Sequence, residues 1–249
     1  MGKVVEVGSK VTKVKVGDNV GVGCFIDACL DCPRCKEGDE QYCDKGMTGT
    51  YGGDKKHGRV GGNQETKTCG GYSASNVVHE HFVCKIPDGI PPECAAPILC
   101  AGITMYDPLR HWGATAGKKM TIGIIGVGGL GTMGIKISKA LGHDVYAIST
   151  SAHKEGLAKE KGATNFVVST DPKSMQENAG KCDLILNTVS ANHDLNVYMP
   201  LLAKSGTLVQ LGLVTTPHPV NQLPLMFNRQ GIAGSLIGGI AATQECLDL

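Results

Sequence analysis

Six short apolar runs recur along the second half of the chain: MTIGIIG (120–126), DVYAIST (144–150), NFVVST (165–170), DLILNT (183–188), GTLVQLG (206–212) and GIAGSLI (231–237). Rich in Ile, Val and Leu and bounded by turn-forming residues, they predict six strands. Helical-length segments separate several of them, notably 129–141 and 153–161. Strands alternating with helices predict βαβ units and a parallel sheet. The first hundred residues have a different habit. VVEVGS, KVGDNVGVG and NVVHEHFVCKIP read as short strands broken by Gly, Asp and Pro. Residues 46–73 are polar and glycine-rich, which predicts a long surface excursion. The expected fold is α/β, with a doubly wound parallel sheet over 101–249 and a smaller β-rich domain over 1–100. No internal repeat is visible.

Composition narrows the classes. Length, at 249 residues, suits one large domain or two modest ones. Lys+Arg number 24 against 23 Asp+Glu, a net charge of +1, so nothing attracts nucleic acid or an anionic membrane. Hydrophobic residues are 41% and charged residues 19%, which suits a folded globular chain. Aromatics are only 4%, so the core is expected to be aliphatic, as in buried parallel sheets. The opening MGKVVEVGSK lacks the apolar region of a secretory signal. The longest stretch without Asp, Glu, Lys or Arg, 205–228, contains Pro217, Pro219 and Pro224 and does not read as a membrane span. Eleven cysteines, five of them within 24–43, point to metal ligation in a reducing compartment rather than to disulfides. A cytoplasmic location follows as an expectation.

Gly126-Val127-Gly128-Gly129-Leu130-Gly131 fits G-x-G-x-x-G, directly between a predicted strand and a predicted helix. Gly126 permits a tight turn, Gly128 lets backbone approach a pyrophosphate, and Gly131 lets the helix pack closely on the strand. This context makes a Rossmann-type dinucleotide site the expectation. The next strand selects the cofactor. NAD sites carry Asp or Glu at that strand's carboxyl end, for the ribose 2′-hydroxyl. This strand ends in Ser149, Thr150 and Ser151, with His153 and Lys154 beyond, while Asp144 stands at its opposite end. Hydroxyls and a Lys suit a 2′-phosphate, so NADP(H) is favoured over NAD(H).

Cys29, Cys32, Cys35 and Cys43 are spaced C-x2-C-x2-C-x7-C. Four thiolates close a tetrahedral shell with no open position, which describes a structural zinc. An iron–sulfur cluster is the rival, but one common form ends in C-x3-C-P, whereas here the last gap is seven and Asp44 follows. A nucleic-acid zinc module fits poorly: residues 27–45 carry six acids and three bases, a net of −3, which repels phosphate.

A four-cysteine lobe upstream of a dinucleotide turn resembles the zinc-dependent medium-chain alcohol dehydrogenases (the medium-chain dehydrogenase/reductase superfamily). The strings VEVGSKVTKVKVGDNVGVGC, EQYC, AAPILCAGIT, GVGGLG and GSLIGG resemble the cinnamyl-alcohol-dehydrogenase-like branch, along the whole chain. That resemblance implies a partial GroES-like domain over 1–100, with its zinc lobe at 24–45, and an NADP-binding Rossmann domain over 101–249 whose final helix is cut short. It implies reversible oxidation of aryl, allylic or medium-chain primary alcohols to aldehydes, with hydride passing to or from NADP at a zinc site. Cys29, Cys32, Cys35 and Cys43 correspond to structural zinc ligands and Cys100 to a catalytic zinc ligand. Thr104 corresponds to a residue on the nicotinamide side. Ser149, Thr150, Ser151 and Lys154 match the 2′-phosphate contacts; Thr188, Gly212 and the stretch from Ser235 to Ile237 resemble contacts nearer the nicotinamide. Dimerisation through the sheet edge is the family's habit, so a homodimer is expected.

Departures from the pattern temper the expected activity. The family's remaining catalytic ligands, a Cys and a G-H-E segment, stand upstream of the stretch that opens here, and the family continues beyond Leu249. The expectation is one bound zinc and NADP(H), with aldehydes turned over poorly or not at all, as a fragment or truncated relative would behave. His79 and His81, read as neighbours on a strand face, are candidates to replace missing ligands. Cys69, Cys84 and Cys94 are unassigned, and Cys24, Cys182 and Cys246 read as small buried hydrophobes. Two alternatives stay open: a non-catalytic NADP(H)-binding protein with a structural zinc, and a zinc-independent NADPH quinone or enone reductase.

Overall fold

The computed structural model describes residues 1–60 and 67–249. The chain divides into two compact units, one of Met1–Ile103 with Ile237–Leu249 and one of Thr104–Leu236.

The second unit carries the sheet. Its strands are β1 (Thr121–Ile125), β2 (Asp144–Ser149), β3 (Asn165–Val168), β4 (Cys182–Asn187), β5 (Leu202–Gln210) and β6 (Gly231–Gly234). Every pairing is parallel, in the order β3-β2-β1-β4-β5-β6. All six predicted strands are present. β5 begins at Leu202, upstream of the apolar run, and its register against β4 shifts between Cys182 and Leu184. Ile122, Ile124, Val145, Ile148, Ile185 and Leu208 are almost wholly buried, each contributing roughly 1.5–3 kcal/mol on leaving water. The register aligns the carboxyl ends: Ile125 pairs with Ile148 and Asn187, Asn187 with Gln210, and Gln210 with Gly234. Strand order reverses between β1 and β4, the switch point where doubly wound sheets bind ligands. Helix α1 (Gly129–Ala140) follows β1, and helix α2 (Gln222–Asn228) precedes β6.

The first unit is built from short pieces. Gly2–Lys3, Asn19–Gly21 and Cys84–Lys85 form an antiparallel sheet; Phe25–Asp27 pairs with Thr48–Gly49, and Tyr51–Asp54 with Lys67–Cys69. The last pair is the surface excursion, whose residues 61–66 lie outside the described ones. Phe25 and Phe82, both buried, meet edge to face at 5.9 Å, and the four lobe cysteines share their core. Two expectations are revised here. Residues 4–9 are not a strand, and Glu80–Phe82 is a single helical turn, so His79 and His81 do not share a strand face. Helix α3 (Ile240–Asp248) belongs to this unit rather than to the 101–249 domain. Its Ile240 and Leu247 enter the core around Phe25 and Phe82. Gln244 exchanges two hydrogen bonds with the Lys85 backbone at 2.8 and 2.9 Å. An amphipathic helix fits either surface, and its sequence period does not name the partner. Among the described residues no helix is long and apolar enough to cross a membrane.

Candidate cofactor site and metal lobe

The glycine turn divides its work. Gly126 has φ +93°, and a Cβ there would lie 2.8 Å from Thr188 Oγ1. A Cβ on Gly131 would collide with the Gly126 carbonyl, so that glycine lets α1 lie on β1. Gly128 and Gly129 differ: apart from their chain neighbours and the helix's own backbone, no atom lies within 4 Å of a Cβ built on either. Their open side stands at the N-terminus of α1, where unpaired N–H groups and the helix dipole favour phosphate. That open cradle fits a pyrophosphate.

The remaining candidates follow the other strands. At the end of β2, Ser149 Oγ accepts from the Ser151 N–H at 3.2 Å, and Thr150 is exposed. The Lys154 ammonium donates to the Val127 carbonyl at 3.2 Å, bringing a cation to the glycine turn. Thr188, after β4, donates from Oγ1 to the Ile125 carbonyl at 2.7 Å. Gly212, after β5, could not carry a Cβ without striking the Val189 carbonyl. Ser235, after β6, donates to the buried Asp107 carboxylate at 3.2 Å. Five strand ends thus contribute to one edge of the sheet. Thr104 is half-buried in the same unit, and Ile237 falls in the other.

The Sγ atoms of Cys29, Cys32, Cys35 and Cys43 lie within 4.8 Å of one another, and all four residues are buried. A tetrahedral ZnS4 shell with bonds of about 2.3 Å has S–S edges of about 3.8 Å; the Cys29–Cys35 separation is 3.9 Å. Leu30 adopts φ 59°, a left-handed kink that turns the chain so that the N–H groups of Asp31 and Cys32 reach Cys29 Sγ at 3.5 and 3.3 Å. Those two bonds bring the Cys29 thiol down to about 6, toward the thiolate that binds metal. The group fits a structural zinc. Sequence reasoning missed Arg59, which donates to buried Asp27 at 3.3 Å and to the carbonyls of Ala28 and Cys29 at 2.7 and 3.1 Å, pinning the strand that delivers the first ligand.

Cys100 sits in a wide helical turn, Ile98–Gly102, of the π type, a feature common at functional sites. Its thiol is hydrogen-bonded with Cys24, a bond that lowers Cys100 and raises Cys24. Cys24 is therefore more than a buried hydrophobe; contact between residues so distant in sequence leaves no local signal. Cys84, Cys182 and Cys246 are buried, and Cys69 and Cys94 exposed. Among the described residues the lobe quartet is the one group of three or more metal-capable side chains. His81 Nε2 is bonded to Glu40 Oε1 at 2.7 Å, and His79 Nδ1 accepts from the His81 N–H at 3.3 Å; neither joins Cys100. Burial would raise Glu40, but bonds from His81 and the Ile240 N–H outweigh it and hold the carboxyl below its usual value.

Comparison with known proteins agrees with this architecture. Residues 1–88 match the alcohol dehydrogenase GroES-like domain and residues 129–249 the zinc-binding dehydrogenase family. The chain is 51% identical to NADP-dependent alcohol dehydrogenase C 1 of Mycolicibacterium smegmatis, over 99% of this chain and 68% of that protein. It is 46% identical to aldehyde reductase YahK of Escherichia coli, covering 100% of this chain and 69% of that one. A cinnamyl alcohol dehydrogenase structure from Sorghum bicolor superimposes with TM-score 0.90 at 36% identity, covering 99% of this chain and 68% of that one. The Helicobacter pylori enzyme complexed with NADP(H) gives 0.83 at 36%, with coverage of 98% and 67%. With both family domains matched and relatives this similar along its length, the chain belongs to the zinc-binding alcohol dehydrogenase family.

Proposed function

We propose that the protein is an NADP(H)-dependent oxidoreductase that interconverts primary alcohols and aldehydes, with a structural zinc in its cysteine lobe. The observation that carries this is the open cradle at Gly128 and Gly129, with Lys154 beside it and no carboxylate at the end of β2. The relatives named for NADP-dependent alcohol oxidation and aldehyde reduction support the reaction class. Aryl, allylic or medium-chain aldehydes are the substrates, the protein is cytoplasmic, and it pairs as a homodimer. Leu213, Leu223, Met226 and Phe227 support pairing, because all four present large apolar side chains to solvent.

Bound NADP(H) supplies the hydride donor or acceptor at its nicotinamide ring. The chain's own groups bind and orient it. The N-terminus of α1 neutralises pyrophosphate, and the hydroxyls of Ser149, Thr150 and Ser151 with Lys154 take the 2′-phosphate. Thr104, Thr188, Gly212 and Ser235 line the path toward the nicotinamide. Cys29, Cys32, Cys35 and Cys43 hold the structural zinc. Cys100, favoured as a thiolate by Cys24, offers one ligand of a catalytic zinc, which when bound would polarise the aldehyde oxygen.

One experiment separates this reading from a second, NADP(H) binding without turnover. The test is NADPH oxidation with cinnamaldehyde by mass-verified protein, beside an NADPH titration. Turnover abolished by a chelator supports the first reading. Binding with no turnover on any aldehyde replaces it with the second, and chelator-resistant turnover would point to a zinc-independent reductase.

A further inference from the structure

Two segments at the carboxyl-terminal edge of the sheet, the loop after β4 and the end of β5, converge on one buried amide. Asn187, the last residue of β4, is fully buried. Its Oδ1 accepts the Val189 N–H at 3.2 Å, which settles which end of the amide is oxygen. Nδ2 therefore donates both its hydrogens, to Gln210 Oε1 at 2.7 Å and to His193 Nε2 at 2.8 Å. Every further assignment follows. Gln210, accepting at Oε1, donates from Nε2 to the Gly212 carbonyl at 2.7 Å. His193, accepting at Nε2, carries its proton on Nδ1 and donates to the Ala191 carbonyl at 2.7 Å. The Asn187 carbonyl meanwhile accepts from the N–H groups of Leu211 and Gly212 at 2.9 and 3.0 Å.

This network ties the loop after β4 to the turn after β5, and both to the glycine turn. Thr188 is bonded twice to the Ile125 carbonyl, from its N–H at 3.1 Å and its hydroxyl at 2.7 Å. A Cβ on Gly126 would lie 2.8 Å from Thr188 Oγ1, and one on Gly212 would lie 2.9 Å from Ser190 N. The tolerances are small at both glycines, and Asn187 stands next to Thr188 in the chain and bonds the residues that flank Gly212.

We infer that Asn187 is a positioning residue for the nicotinamide half of the cofactor, acting through Gln210 and His193 to hold Thr188 against the glycine turn and Gly212 against the Val189–Ser190 backbone. The inference rests on the NADP(H) reading above. Being fully buried, Asn187 reaches the cofactor only through these partners. A network with every donor and acceptor assigned rigidifies what it connects, and loops fixed before binding keep more of the interaction energy.

The test compares two ligands. Reduced NADPH reports the whole site, while 2′,5′-ADP reports the adenine and 2′-phosphate half alone. Asn187→Asp keeps the shape but turns an oxygen toward Gln210 Oε1 and His193 Nε2. It is expected to raise the Kd of NADPH about tenfold, to lower the fluorescence enhancement of the bound nicotinamide, and to leave 2′,5′-ADP within about twofold. His193→Ala, at a half-exposed position, is expected to do the same at about threefold, and carries the test if the aspartate variant does not fold. Equal loss of both ligands, or loss of neither, overturns the inference while wild-type binding keeps the cofactor reading intact. A wild-type chain that binds neither ligand overturns both.

Discussion

Two glycines three residues apart in the same turn should fail in opposite ways. A Cβ on Gly131 would lie 2.9 Å from the Gly126 carbonyl carbon and closer still to its oxygen. Backbone cannot swing aside as a side chain does, so Gly131→Ala must lever α1 off β1. Overpacking of this kind costs about 1–3 kcal/mol. With a backbone obstacle the cost exceeds the roughly 1 kcal/mol that alanine gains over glycine in a helix. The net loss should be about 1–2 kcal/mol, or about 2–8 °C in Tm. Gly128→Ala meets no atom within 4 Å beyond its chain neighbours and has φ −115°, which alanine adopts freely. Its stability should change by less than about 1 kcal/mol, the cost of a poorer N-cap. The added methyl would instead occupy the pyrophosphate cradle and weaken NADPH about a hundredfold, roughly 2.7 kcal/mol. Urea unfolding followed by circular dichroism gives the first quantity, and NADPH fluorescence titration the second. Unchanged NADPH affinity in Gly128→Ala, or wild-type stability in Gly131→Ala, would refute the assignment of roles.

Purified protein should contain one zinc per chain by elemental analysis, and Cys43→Ser should lower both that content and the resistance of the lobe to proteolysis; iron in its place, or wild-type zinc in the variant, would reject the lobe's assignment. Lys154→Ala should raise the Kd of NADPH about tenfold and leave NADH unchanged; a parallel loss of both would remove the lysine from the 2′-phosphate. Glu40, held below the ordinary glutamate value of 4.5 by His81 and Ile240 against the opposing effect of burial, stabilises the folded form fully above that value and ceases to as pH falls through its lower folded value. Glu40→Gln should therefore flatten the acid limb of a stability-versus-pH curve, and an unchanged limb would exclude this carboxylate as a source of acid sensitivity.

The second unit was readable because its central strands are buried on both faces, so Ile122, Ile124, Ile148 and Ile185 stand in continuous apolar runs that need no partner to be recognised. The glycine turn was readable for a related reason: Gly126 and Gly131 answer local backbone constraints. The first unit was less so. Strands of two to four residues, such as Gly2–Lys3 and Cys84–Lys85, are too short to show a period, and the apolar run over residues 4–9 does not form a strand. The docking of α3 depends on Glu40 and Lys85, remote in sequence from Ile240 and Gln244. The Cys24–Cys100 bond and the Asn187 network likewise join positions that only the tertiary fold brings together. Asn187 left one faint signal, a polar residue closing an apolar strand.

Parallel calorimetric titrations of the wild-type chain with NADPH and NADH test the central claim most directly. The sheet-edge site, with Lys154 at the glycine turn and no carboxylate at the end of β2, predicts NADPH binding at least about tenfold tighter than NADH. NADH binding as tightly as NADPH, or binding of neither, would contradict it.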